Sequence, residues 1–266
     1  MRHSWFALVL MVGCVDADDP EDAAELGETE QEVSSTVLET FTCSTTPSCR
    51  FDLGSDSNRA CFLAGIRGPA GGLGGSFGSY TSIYDTGSTW ALAVYPPAGG
   101  TLKVTTACVS PAGNVTKQLW NSTFPTSAEQ IPNTTPQSRC FLSIFSGQAG
   151  GLTHYNDSIK TWKDSAGKWW IGGSTVGDSY LSGGAICFDV AVNHSTWAWG
   201  QGSSGSITGD IGSNSTGGVA CGLTELGGKF TTNSTSDGVH INYLSGSAQW
   251  IWTFVNYKHA HANCIK

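Results

Sequence analysis

Apolar and polar residues alternate in short runs along much of the chain. Thr101-Leu-Lys-Val-Thr-Thr-Ala-Cys108 alternates and is rich in β-branched residues. Val239-His-Ile-Asn-Tyr243 alternates too, and a Ser-Gly-Ser turn separates it from the aromatic run Gln249-Trp-Ile-Trp-Thr-Phe-Val255. A period of two marks a strand with one face buried, and Val, Ile, Thr and the aromatics suit a pleated surface. Asp85-Thr-Gly, Asp164-Ser-Ala-Gly and Leu244-Ser-Gly-Ser punctuate the runs as turns. No segment combines an apolar 3.6 period with helix caps, so the pattern predicts an all-β protein.

The runs repeat. Cys61-Phe-Leu-Ala-Gly-Ile-Arg-Gly-Pro-Ala-Gly-Gly-Leu73 has a near twin in Cys140-Phe-Leu-Ser-Ile-Phe-Ser-Gly-Gln-Ala-Gly-Gly-Leu152, and a looser copy starts at Cys221-Gly-Leu-Thr-Glu-Leu-Gly-Gly-Lys-Phe230. Trp90, Trp169 and Trp250 each fall 29 residues after the opening cysteine (90 − 61, 169 − 140, 250 − 221). Cys108, Cys187 and Cys264 follow it by 47, 47 and 43 (108 − 61, 187 − 140, 264 − 221). The spacing defines three units of about 80 residues, near 61–139, 140–220 and 221–266. Asn114-Val-Thr-Lys-Gln-Leu-Trp120 matches Asn193-His-Ser-Thr-Trp-Ala-Trp199, so units one and two continue past their second cysteine. The third has no such tail. Phe41 precedes Cys61 by 20 residues (61 − 41), as Trp120 precedes Cys140 (140 − 120). Residues 36–60 are therefore expected to complete the third unit, with Thr36–Phe41 as its missing strand. The expected body, 36–266, is one closed, pseudo-threefold, prism- or propeller-like assembly of antiparallel units, closure being one way to remove open sheet edges.

Composition agrees with β structure: 35 glycines, 13% charged residues, 11% aromatics and ten tryptophans in 266 residues. The net charge of −8 is concentrated in one place. Residues 15–35 carry Asp16, Asp18, Asp19, Glu21, Asp22, Glu25, Glu28, Glu30 and Glu32 and no base. The remaining body is near neutral and has no basic stripe, which argues against nucleic acid as a partner. The acidic run reads as a solvated, disordered tether.

Ahead of it, residues 1–14 read as a signal peptide: Arg2 and His3, then an apolar run from Trp5 to Gly13 that is too short to span a bilayer. It ends in Met11-Val12-Gly13-Cys14, which resembles the lipobox of bacterial lipoproteins, with methionine where leucine is usual. The resemblance implies a lipidated Cys14, export from a bacterial cell, and a protein either anchored to the outer membrane through that lipid or extracellular. Ordinary secretion with cleavage nearby is the alternative. Setting Cys14 aside leaves eight cysteines. The repeat pairs them as Cys61–Cys108, Cys140–Cys187 and Cys221–Cys264, with Cys43 and Cys49 left for a small loop.

Few residues offer chemistry. His259-Ala-His261 puts two imidazoles on one strand face, with His240 a third candidate, but the pattern has no counterpart in the other units and reads as solvated or structural histidine. Asp52-Leu-Gly-Ser-Asp56-Ser-Asn58 lacks the closing glutamate of a calcium loop and reads as an Asx-rich turn. No nucleophile elbow, phosphate loop or close cysteine pair for zinc is evident, so no catalytic residue, metal or cofactor is assigned. The sequons at Asn114, Asn121, Asn133, Asn156, Asn193, Asn214 and Asn233 read as by-products of an Asn/Ser/Thr-rich surface.

The aromatics remain. Trp90, Trp169 and Trp250 recur at one position and are expected in the core. Trp170, Trp197, Trp199, Trp252 and Tyr155 are surplus to the repeat and are the candidate ligand-binding residues. A flat ring beside neutral hydrogen-bonding groups suits a sugar, although rings filling the seams between units would leave the same trace. The Cys-Phe-Leu…Gly-Gly-Leu openings also resemble repeats of pilus-tip and phage-fibre adhesins. With the start of the chain, that resemblance implies a non-catalytic, surface-displayed binding module, and the near-neutral body with its surplus aromatics suits a neutral glycan or cell-surface polysaccharide as partner. An exported hydrolase with an unrecognised site and a structural envelope protein are the alternatives.

Overall fold

The structure is a computed structural model. It describes residues 35–44, 48–71, 79–110, 112–122, 128–147, 152–176, 180–190, 194–199, 206–213, 220–231, 234–235, 238–244, 249–255 and 258–265. For 35–37, 194–199, 206–213, 242–244 and 249–255 it describes the backbone alone. The apolar run 5–13, Cys14 and the acidic run up to residue 34 lie outside the described residues.

Among the described residues there are strands and no helix. The first unit contains β3 (Ala60–Arg67), β4 (Tyr80–Asp85), β5 (Thr89–Tyr95) and β6 (Leu102–Ser110). The second contains β9 (Ser138–Ser146), β10 (Ser158–Lys163), β11 (Trp169–Ser174) and β12 (Ser182–Asp189). The third contains β15 (Ala220–Gly228), β16 (Gly238–Leu244), β17 (Gln249–Val255) and β18 (Lys258–Ile265). Linking strands are β1 (Ser35–Cys43), β2 (Cys49–Ser55), β7 (Gly113–Asn121), β8 (Glu129–Gln130), β13 (His194–Trp199) and β14 (Ser206–Ser213).

These strands form three six-stranded antiparallel sheets, and no sheet is built from one unit. Each unit pairs its first and last strands in one sheet and sends its two middle strands to another. The sheets run β1-β6-β3-β16-β17-β14, β7-β12-β9-β4-β5-β2 and β13-β18-β15-β10-β11-β8. The order is the same in all three. β1 lies on β6 as β7 lies on β12 and β13 on β18, with Phe41 opposite Val104, Trp120 opposite Gly183 and Trp199 opposite Ala260. The N-terminal strand thus takes, on unit one, the position that the tails of units one and two take on their successors.

Directly opposed cysteines on the first and last strands are bridged in every unit: Cys61–Cys108, Cys140–Cys187 and Cys221–Cys264, with Cα atoms 4.0, 4.1 and 4.0 Å apart. Cys43–Cys49 ties β1 to β2, and so joins two sheets. The repeated tryptophan braces units one and two. Trp90 Nε1 donates to the Arg59 carbonyl at 2.9 Å and Trp169 Nε1 to that of Ser138 at 3.1 Å, each acceptor lying two residues before the bridged cysteine.

The first strands β3, β9 and β15 pack on one another at the centre. The residue after the opening cysteine meets its counterparts there. Phe62 stacks on Phe141 with centroids 4.2 Å apart, and Phe188 packs 5.7 Å from both. The third unit carries Gly222 instead, where a Cβ would run into both the Phe62 and Phe141 rings. Every first strand also bulges three residues after its cysteine, at Ala64, Ser143 and Thr224. A bulge bends a strand and increases its twist. Next to it the pairing with the neighbouring unit lasts only three rungs: Gly238 to His240 on Arg67 to Gly65, Tyr80 to Ser82 on Ser146 to Ile144, and Ser158 to Lys160 on Gly227 to Glu225. The ladder between the two halves of each sheet ends with those rungs.

Candidate functional site: a cleft in the sheet of units two and three

Past the last rung, Lys160–Glu225, β10 and β11 part from β15 and β18 and leave a cleft of about 410 Å³. Trp162, Trp169, Thr161 and Lys163 line one wall, and Thr224, His261 and Asn263 the other. Pro136 and Arg139, at the start of β9, close one end. Thr161 is held in place because its hydroxyl faces the Cys140 and Thr224 carbonyls at 3.3 and 3.4 Å.

The matching splay in the sheet of units one and two is occupied differently. There Lys117 reaches over the Trp90 ring, 4.6 Å from its centroid, and pairs with Asp85 at 3.7 Å. Lys117 stands opposite Ile186; the register places Thr196 and Asn263 at the corresponding pair. Ile186 is fully buried, and its counterpart Asn263, 7% exposed, is a polar group in an apolar position. Asn263 Oδ1 has no hydrogen-bond partner among the described residues, nor has Arg139 Nε. An unpaired buried polar atom costs about 1–3 kcal/mol, and such a group beside a cleft is suited to a ligand.

Electrostatics around the cleft are organised by two carboxylates set behind it. Glu225 lies between two imidazoles, 3.3 Å from His259 Nε2 and 3.1 Å from His261 Nδ1. Burial pushes its carboxyl up, but the His259 hydrogen bond and the charges of His261, His259 and Lys160 outweigh this and leave it below the usual carboxylate value. Asp189 accepts from Ser138 Oγ at 2.6 Å, Thr135 Oγ1 at 2.8 Å and Asn114 Nδ2 at 2.6 Å. It thereby pins the 135–138 turn that carries Pro136 and precedes Arg139. Burial raises the Asp189 carboxyl, while these donors and Arg139 bring it net below its ordinary value. Burial also lowers the Arg139 guanidinium, opposed by Asp189.

The residues singled out from sequence are dispersed. Trp170, on β11, stands directly opposite Trp162 on β10 and shares its face of the sheet. It is half-buried, and its Nε1 donates to Asp164 Oδ2 at 2.8 Å, which helps hold that carboxyl below its usual value. Tyr155 is 47% exposed in the loop before β10, its ring 4.0 Å from His154. With Thr153, His154 and Lys229 it borders a separate pocket of about 250 Å³. Trp197 and Trp199 lie on β13 of the same sheet as the cleft and Trp252 on β17 of another; their side chains are outside those described. Trp169, expected in the core, is 5% exposed and also forms part of the cleft wall.

Sequence reading missed Trp162, Arg139, Lys163, Thr224 and Asn263 as neighbours. It also missed Glu225 as the partner of both histidines. His240 lies elsewhere, on β16 opposite Gly65. The Asp52 segment is an Asx turn at a bulge, with the Gly54 amide on Asp52 Oδ1 at 2.8 Å. Among the described residues no three His, Cys, Asp or Glu side chains are grouped to hold a metal ion. No protein-family model matches the chain, and no curated protein matches it significantly.

Proposed function

We propose that this protein is an exported, surface-displayed, saccharide-binding module, a bacterial lipoprotein anchored through Cys14. In this reading its body is a closed, pseudo-threefold β assembly and the cleft between units two and three is its combining site. The identical strand order of the sheets, the place of β1 and the convergence of β3, β9 and β15 support the closed body. The four bridges support export.

One observation carries the binding reading: two indoles, Trp162 and Trp169, line a cleft beside Asn263, whose Oδ1 has no partner among the described residues. An indole face takes the C–H face of a sugar ring, and an amide takes its hydroxyls. Trp170, opposite Trp162, shares the face of that ring, whereas Trp169, next to it on β11, projects to the other face with Lys163, and Tyr155 offers a further ring for a long chain. Trp197, Trp199 and Trp252 remain candidates for the same role.

A glycan array tests this. Trp162→Ala should weaken binding to a selected glycan roughly five- to thirtyfold, the loss of one stacking contact. Trp170→Ala should weaken it less, and both should fold. Trp169→Ala should lose the fold, because it removes a buried ring and its bond to Ser138. Binding unchanged in Trp162→Ala moves the site elsewhere.

A second reading, an exported hydrolase, has one observation in its favour. His261 turns Nδ1 to Glu225 and lines the cleft, the orientation a carboxylate imposes on a general base. Turnover of a generic hydrolase substrate panel, abolished by His261→Gln, would establish it.

A further inference from the structure

The cleft is cationic although the folded body is near neutral. Arg139 and Lys163 line it, and no aspartate or glutamate is among its described lining residues. Arg139 Nη1 and Lys163 Nζ converge on the Pro136 carbonyl, at 3.3 and 3.1 Å. Two cations therefore share one neutral acceptor. Arg139 Nη1 also donates to the Ser138 carbonyl at 2.9 Å, while its Nε has no partner among the described residues.

Among the described residues neither nearby carboxylate forms an ion pair with Arg139 or Lys163. Asp189 acts on Arg139 at a distance, but its oxygens are taken up by Ser138, Thr135 and Asn114. Glu225 is engaged by His259 and His261. Bringing like charges together at a partly buried position is unfavourable unless an anion joins them. Arginine in particular presents a planar fork that matches a carboxylate.

Beside the two cations stand Trp162 and Trp169, and across the cleft Asn263, whose Oδ1 has no partner among the described residues. We infer that the cleft takes an acidic saccharide, a uronic acid residue whose carboxylate sits between Arg139 and Lys163. Its ring lies on the tryptophan wall and a hydroxyl donates to Asn263. The inference rests on the saccharide-binding reading and replaces the neutral glycan expected from the sequence with one bearing a carboxylate.

The test pairs each acidic polymer with its own neutral form. Full-length protein in detergent is titrated with galacturonan, alginate and hyaluronan, each intact and after carboxyl reduction, which leaves the sugar backbone in place. An intact uronate polymer should bind about tenfold more tightly than its reduced form, as expected for one charge-assisted contact. That preference should shrink severalfold between about 0.05 and 0.5 M salt. Arg139→Gln should erase the preference. Lys163→Gln, an exposed change that leaves folding intact, should reduce it about threefold even if the arginine variant misfolds. Equal binding of intact and reduced polymers, or a preference untouched by Lys163→Gln, overturns the acidic specificity and leaves saccharide binding standing. If no intact or reduced polymer in the panel binds and neutral glycans on the array are also silent, both readings fall.

Discussion

At the scale of single residues, the clearest consequence lies at His240. It sits on β16 against Gly65 of β3, with its Nδ1 unpartnered among the described residues. Burial, and then the positive charge of Arg67, push its pKa down to about 4. Unfolded histidine titrates near 6.5. Above that pH both states are neutral and nothing is lost. Between about 6.5 and 4 the unfolded chain takes up a proton that the folded protein refuses, so stability falls with pH. The loss should reach at most about 3 kcal/mol by pH 4. Glu225 and Asp189, held low in the fold, add their own loss only as the pH falls further, through and below the carboxylate range. Urea unfolding at pH 7, 5.5 and 4.5 should show the decline in the parent and a flatter profile in His240→Gln. Parallel profiles would mean that His240 titrates normally. The histidine itself was visible in the sequence. Its burial was not, because the neighbours that desolvate it come from unit one.

At the scale of elements, β1 carries the argument. Its nine residues pair along the whole of β6, and Phe41 packs 4.7 Å from Phe51 of β2. Truncation to begin at Ser35 should leave the thermal midpoint unchanged. Truncation to begin at Thr42 strips the edge of β6 and the Phe41 ring, and should cost on the order of 3 kcal/mol. Equal midpoints for the two forms would show that β1 does not stabilise the fold. The Phe41–Trp120 correspondence made this strand legible, since it rests on counting alone. The exchange of middle strands between units was not legible. A strand's alternation says which face is buried, and carries no information about which neighbour supplies its hydrogen bonds.

At the scale of the whole molecule, three repeats become one body through a shared centre. Gly222 shows how far the copies have diverged there: two phenylalanines fill the space that a third would need. The cleft is a second divergence, with Asn263 in place of a buried isoleucine, threonine where Lys117 stands, and Lys160 over Trp162 at 5.5 Å from its centroid. The proposed anchoring belongs to this scale too, because it decides where the combining site is displayed. Metabolic labelling with a fatty acid should mark the parent and not Cys14→Ser. Equal labelling would place the lipid on another residue, and none in either would show that Cys14 is not lipidated.

Short-range order was determined by the sequence alone. The alternation specified strands, the triplicate spacing specified units, and the cysteine intervals matched the bridges, since each bridged pair sits at fixed distances along one unit. These are regularities of one dimension, and counting recovers them. The cleft is different. Its walls come from residues 136–169 and 224–263, brought together by a ladder of three rungs and opened by a bulge at Thr224. Nothing local marks Asn263 or Arg139, and a bulge shifts facing by one residue, which alternation alone does not reveal. Only the tertiary structure decided which indoles stand beside which cations, because that depends on how two units share a sheet.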